Sequence, residues 1–337
     1  MVRAGAAPRR AVIRESMSFP VRVPVPDLRD AARGNTGIDG VWRFDSSRPG
    51  PHAVIVSLIH GNEFAGAVVL ARWLRAGLRP ARGVLTLVFG NLDAFARFDP
   101  SDPTLSRYVD EDLNRLWSPP ILDGPRDSLE LRRARALRPV AEAADVLLDL
   151  HSMLWPSDPL ILTAPSPAAL ELVRATGAPL TIVADSAHPE GPRLIDYAPF
   201  KVPGTHRVAM LAEAGPHWEP ETEAVAEACA TGLLRALGML TTPAPPRDPL
   251  AIMPNAVWTV TRGIAAASRQ FAFTQPFRGG TVIPRAGTLI ARDGVAEIRT
   301  PHDDCMLVMP CPRVMRGHVA VRLARQMEGS GGWSSSQ

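Results

Sequence analysis

The sequence predicts an α/β fold: a largely parallel or mixed sheet flanked by helices, followed by a small C-terminal β-domain. Three observations predict it. Short runs rich in Val, Ile and Leu alternate with longer amphipathic runs from residue 53 to about 240. A Pro-rich stretch, "TTPAPPRDP" (241–249), then interrupts the pattern, and beyond it helical periodicity gives way to short strands between Gly, Pro and Asp turns. Buried strands with helices between them need cover on both faces, whereas short strands between turns build a separate β layer.

Each element follows from its pattern. The opening residues 1–20 are basic but hold no apolar core long enough for a signal peptide, so they read as a flexible leader, with Met17 as an alternative start. "AVIVSLI" (53–59) is a buried strand and "EFAGAVVLARWLRAGL" (63–78) a helix with Val68, Ala71 and Leu74 on one period. "GVLTLVFGN" (83–91) is a second strand, "SLELRRARALRPVAEAA" (128–144) a helix, and "DVLLDLHS" (145–152) a third strand. Further strands are expected at 160–165, 179–186 and 207–215, with helices at about 167–176 and 221–239. These make a domain over 21–243. The β-domain spans 250–325, through "AVWTVTR", "QFAFTQP", "GGTVIPRAGTLIARDG" and "CMLVMPCP"; residues 326–337 read as a disordered tail.

Composition narrows the function. Hydrophobic residues make up 46% of the 337 and charged residues 21%, as in ordinary soluble proteins. No apolar run approaches the roughly 20 residues that span a bilayer, so no membrane is expected and a cytoplasmic location is the default. The net charge of +3 is mild, and arginines are interleaved with acids, which argues against a nucleic-acid surface. The three cysteines, Cys229, Cys305 and Cys311, form no C-x-x-C pair and read as reduced, small apolar residues.

One set of residues points to chemistry. In open α/β sheets ligands bind outside the carboxyl ends of strands. His60 stands at such an end, Glu63 follows at the start of the next helix, and a second strand ends in His151, with Asp149 just before it. Two imidazoles and a carboxylate are the ligand set of a catalytic zinc with its fourth position open. Glu213, near the end of "RVAMLAEAG", stands where a general base is needed. Each residue alone has a plain structural reading, as a helix-start charge, a core histidine or a solvent-facing acid; their placement at one sheet edge is what carries the argument. In "RYVDEDLNRLW" (107–117), Arg107, Asn114 and Arg115 offer donors for a carbonyl oxygen or a carboxylate.

With these residues assembled, the chain resembles the succinylglutamate desuccinylase/aspartoacylase family, relatives of the zinc carboxypeptidases. The matching pieces are "HGNE" (60–63), "GNLDAF" (90–95), "RYVDEDLNR" (107–115), "DLHS" (149–152) and "EAGPHW" (213–218), in family order over about residues 52–240. The resemblance implies a zinc-carboxypeptidase-like mixed sheet with a C-terminal β-domain. It further implies one Zn²⁺ per chain on His60, Glu63 and His151, with Glu213 activating the attacking water. By the same resemblance, Arg107 steadies the developing oxyanion, and Asn114 and Arg115 hold a substrate carboxylate. Asp149 is open between orienting His151 and a structural role. Family members acting on acylated acidic amino acids carry a further arginine ahead of the base. Arg193, with Tyr197 near it, and Arg207 are the candidates, with a surface position as the other reading. Met153, Leu154 and Trp155 add apolar bulk after His151 and no arginine, which weakens succinylglutamate as substrate. His217 and Trp218 are candidates for the pocket wall or for packing.

The reading that follows is a zinc-dependent amidohydrolase that removes an acyl group from an N-acylated amino acid or related small compound. A carboxypeptidase-type peptidase and a non-catalytic binding module on the same fold are the alternatives. A small-molecule N-acyl substrate is the expected partner, without nucleic acid or membrane, and a homo-oligomer is compatible with the sequence.

Overall fold

The computed structural model describes residues 19–178, 181–186, 188–202, 204–240 and 256–327. The expected leader lies almost wholly outside these residues, as do the Pro-rich stretch 241–249 and most of 326–337. The strands are β1 (Val41–Asp45), β2 (His52–Ser57), β3 (Val84–Phe89), β4 (Val146–Met153), β5 (Leu160–Thr163), β6 (Thr181–Ala184) and β7 (Val208–Pro216). The C-terminal part adds β8 (Val257–Ala265), β9 (Phe271–Phe273), β10 (Val282–Ile283), β11 (Leu289–Asp293), β12 (Ala296–Arg299), β13 (Cys305–Val308) and β14 (Val319–Gln326). The helices are α1 (Ala65–Arg75), α2 (Leu92–Phe95), α3 (Pro119–Leu122), α4 (Leu129–Ala143), α5 (Pro167–Thr176) and α6 (Pro220–Ala236).

Eleven strands form one mixed sheet in the order β1-β3-β2-β4-β7-β5-β6-β8-β14-β13-β10, and β12-β11-β9 form a second, antiparallel one. Strands β3, β2, β4 and β7 run parallel, so their carboxyl ends share one edge. The expected α/β architecture is therefore present. Within the C-terminal β region β9, β11 and β12 form the second sheet, while β8 pairs in parallel with β6 and β14, β13 and β10 prolong the central sheet. Strands β1, β12 and β14 fall outside the runs picked out from sequence. In β14 the interruption is physical, because its centre carries Arg322 and Arg325 within "VAVRLARQ" and so lacks an unbroken apolar run.

Alternation sorts the core. Ala53 and Ile55 of β2, with Leu148 and Leu150 of β4, face a cluster that α1, α5 and α6 cover. Val54 and Val56 of β2, Leu147 of β4 and Leu211 of β7 face the other way, toward α4 and Trp117. Asp149 and His151 share the second face with Leu147, because side chains two apart on a strand point to the same side. The C-terminal strands keep a cluster of their own around Ile264, Ile290, Leu307, Val321 and Leu323.

Helices α5 and α6 approach so closely that a Cβ at Gly232 would stand 2.1 Å from the carbonyl oxygen of Thr176. We therefore expect Gly232→Ala to cost about 1–3 kcal/mol and lower Tm by several degrees, as overpacking of a close contact does. An unshifted thermal melt would show that the two helices can part without loss.

Candidate active site

The turn after β2 is built to deliver two ligands. Leu58, fully buried, holds φ at 57°, a conformation that L side chains seldom adopt, and the amide of Asn91 donates to its carbonyl while that of Gly90 donates to Ser57. The strand is thereby broken sharply and His60 leaves over the sheet edge. Gly61 comes next because nothing larger fits: a Cβ there would meet the amide nitrogen of Phe95 at 2.4 Å and the carbonyl of Ser106 at 2.5 Å. The Gly61 amide donates to the carbonyl of Arg107, which pins the 105–107 turn against the same point. Behind it, Trp218 donates its indole N–H to the carbonyl of Asn62.

Glu63 sits at the centre. His60 Nδ1 lies 2.8 Å from its Oε1 and His151 Nδ1 2.9 Å from its Oε2; the amide of Ser152 and Arg107 Nη1 also donate to it, each at 3.0 Å. The far nitrogens of both rings face carboxylates. His60 Nε2 is 3.0 Å from Asp112 Oδ1, and His151 Nε2 is 2.8 Å from Asp149 Oδ2, though without the alignment of a hydrogen bond. His60 Nε2 also lies 2.9 Å from Arg107 Nη2, but one nitrogen cannot donate to Asp112 and accept from Arg107 at once. Both ring nitrogens of His60 thus face carboxylates, Nδ1 that of Glu63 and Nε2 that of Asp112. Carboxylates behind imidazoles in this way fix the tautomer of metal-binding histidines.

This donor set fits a metal ion. One ligand atom each from His60, Glu63 and His151 lies within 4.8 Å of the others, and all three residues are buried. Two neutral nitrogens and a carboxylate oxygen suit zinc and leave an open position. Burial raises the cost of charge on Glu63, yet the two imidazoles outweigh it and hold the carboxyl well below its ordinary range. Burial likewise opposes charge on His151, and Asp149 and Glu63 overcome it, raising that imidazole.

Glu213 is brought beside this group by register, since β4 and β7 pair His151 with Glu213. Its Oε2 is buried with no hydrogen-bond partner among the described residues, and burial above all pushes the carboxyl up to about 8. Residues His60, Glu63, His151, Glu213, Arg107, Asn114 and Arg115 line one cavity of about 750 Å³. Within it Arg107 reaches Glu63 and Asp112, while Asn114 Oδ1 accepts from the amide of Leu194. Arg115 Nη1 donates to the carbonyl of Asn114, and its Nε is buried without a hydrogen bond among the described residues, 3.9 Å from Glu190.

Several expected residues end elsewhere. Tyr197 does not reach the cavity: it is buried, packs edge-on against Trp117 and donates its hydroxyl to Glu142. Arg207 donates to the carbonyl of Glu142 and does not line the cavity either. Arg193 does line it, but its guanidinium is spent on Asp196 and Asp185. His217 lines the cavity and Trp218 packs behind it against Phe98. Residues that sequence reasoning missed include Asp112, inside a stretch already singled out, and His188, Met309 and Arg322, whose positions depend on distant segments meeting. For Asp112 the signal was its place in "DEDLNR"; for the others no local signal exists.

Comparison with known proteins came out as follows. Residues 49–236, more than half of the chain, match the model of the succinylglutamate desuccinylase/aspartoacylase catalytic domain. Among solved structures the chain is similar to succinylglutamate desuccinylase from Vibrio cholerae, at 17% identity and a TM-score of 0.65 over 87% of this chain and 88% of that one. The Vibrio parahaemolyticus enzyme gives 16% and 0.63, covering 86% and 87%. The product-bound ectoine utilization protein EutE (DoeB) from Ruegeria pomeroyi gives 18% and 0.57, covering 84% and 88%. No curated protein matches. At such identities the structures speak for the fold.

The raised carboxyl of Glu213 gives a signed pH dependence. A folded-state pKa above the unfolded value means that stability is greatest below the unfolded pKa, near 4.5, and declines as pH rises through about 8. In chelator-stripped protein, Glu213→Gln should match wild type at pH 4 and exceed it by a few kcal/mol at pH 9. Parallel denaturation curves at both pH values would exclude a proton on Glu213.

Proposed function

The chain belongs to the succinylglutamate desuccinylase/aspartoacylase family, and from that membership and the geometry of its cavity we propose that it is a zinc-dependent amidohydrolase. Its substrate on this reading is a small N-acylated amino acid or a related compound. The observation that carries the proposal is the register that sets Glu213, buried and unpartnered at Oε2, beside the His60–Glu63–His151 group in one cavity. A mere binding module has no use for such a carboxylate.

His60, Glu63 and His151 would hold the zinc ion. When bound there, zinc supplies Lewis acidity that polarises the scissile carbonyl and brings the pKa of water down to about 7. Glu213, set beside this group by the pairing of β4 with β7, takes the proton of the attacking water and returns it to the departing amine nitrogen. Arg107 stands against Glu63 and His60, so its guanidinium meets negative charge developing on the carbonyl oxygen. Asn114 and Arg115, on the 113–115 turn, receive the carboxylate of the amino-acid part. Met309, Cys311, Val314 and His318, with His188 and Glu190, wall the cavity, which favours a small substrate over a long peptide.

Elemental analysis should find about one zinc per chain, with chelator-sensitive release of amine from N-acetyl or N-succinyl amino acids. Protein that takes up no metal even after reconstitution refutes the reading. Glu213→Gln should keep its zinc while kcat falls by about 10²–10⁴, the scale of a lost general base. Arg115→Ala should act chiefly on KM for a carboxylate-bearing substrate, and an unaltered KM would place the carboxylate elsewhere.

A further inference from the structure

The cavity has a second charged end, contributed by a strand far along the chain. Arg322 of β14 lies opposite Val308 of β13 and shares its face of the sheet with Ala324, the face on which the cavity opens. Its side chain is only 7% exposed. Taking such a charge out of water requires strong acceptors in exchange.

Arg322 is poorly supplied with them. Nη1 donates to Asp185 Oδ2 at 2.7 Å, and Nη2 meets the thioether of Met309 at 3.2 Å, a weak acceptor. Among the described residues no other hydrogen bond of its guanidinium is found. Asp185 Oδ2 is shared, moreover, with Arg193 Nη1 at 3.0 Å. Arg193 is the contrast: Nε and Nη2 take both oxygens of Asp196, so three of its nitrogens meet carboxylates. The electrostatics follow the bonding. Burial opposes both charges, yet Asp196 and Asp185 raise Arg193 above its ordinary value, while Arg322 is left lowered. Between the metal-ligand group and Arg322 the floor is apolar, formed by the cross-strand pair Leu162 and Leu211.

We propose that Arg322 is a specificity-determining residue that receives a second anionic group of the substrate, across the apolar floor from the His60–Glu63–His151 centre. Arg193, the arginine that sequence position favours, is already neutralised and cannot take that part. This inference rests on the reading that the cavity accepts a small N-acyl compound. The second anion is a carboxylate or a group of like charge, carried on the acyl chain or on the amine.

The test needs no turnover. Calorimetry on zinc-loaded protein would compare glutarate with butyrate, which differ by one terminal carboxylate. Wild type should bind glutarate about tenfold or more tightly, the scale of one charge-assisted contact. Arg322→Gln should abolish that preference and Arg322→Lys should keep part of it. Equal binding of the two acids by wild type overturns the proposal, and that arm requires no variant to fold. A preference undiminished in a folded Arg322→Gln overturns it as well. Hydrolysis of N-succinylglycine against N-butyrylglycine, and of N-acetylaspartate against N-acetylalanine, then tells whether the acyl or the amine side carries the anion. Should no amide be cleaved while glutarate is still preferred through Arg322, the hydrolase reading fails and this assignment stands.

Discussion

Everything in the site turns on burying the carboxylate of Glu63. An unpartnered buried carboxylate is one of the costliest groups a protein can carry, so its surroundings must supply donors from several directions. Here they come from the turn after β2, from β4 and from the 105–107 turn: His60, His151, the Ser152 amide and Arg107. Those demands lock three segments together at the carboxyl edge of the parallel strands. The strained Leu58 and the Cβ-free Gly61 belong to the path that brings His60 and Glu63 onto the edge.

The same carboxylate polarises its neighbours. With both Nδ1 atoms turned toward Glu63, the Nε2 atoms are presented to Asp112 and Asp149, which enclose the group from behind. Glu213 stands just outside this group, opposite His151 in the strand register. Glu213 has no comparable set of donors, so desolvation prevails and its carboxyl rises as that of Glu63 falls. Two glutamates within one cavity thus acquire opposite tendencies from their partners alone.

Beyond this centre the cavity is asymmetric. The 113–115 turn and Arg107 provide polar contacts on one side, and Leu162, Leu211 and Met153 provide apolar surface. The far wall belongs to the C-terminal strands, which lengthen the central sheet and so bring residues after 300 over the same face as Glu213. Continuity of the sheet is what makes the C-terminal region part of the site.

The meeting of His60, Glu63, His151 and Glu213 at one edge was legible in the sequence because each stands at or just after the end of an apolar run, and strand ends in a parallel sheet converge on one edge. These four needed only local pattern and that rule. Asp149 was half legible: a spacing of two on a strand puts it on the face of His151, but only the fold shows that its oxygen reaches Nε2. Arg193 lines the cavity and Tyr197 does not, and both are held by carboxylates for a reason that sequence cannot show. Sequence shows that such residues are near a site, whereas their use depends on whether a carboxylate closer at hand claims them first, as Asp196 and Glu142 do. Arg322 had no local signal, since its strand is broken by charge and its place over the cavity is created by pairing with β8 and β13. Sequence by itself determined the fold class and the gathering of His60, Glu63, His151 and Glu213 at one sheet edge, because periodicity and strand ends are local properties. Tertiary structure alone decided which cations remain available to a ligand, because that depends on competition among charges brought together from distant parts of the chain.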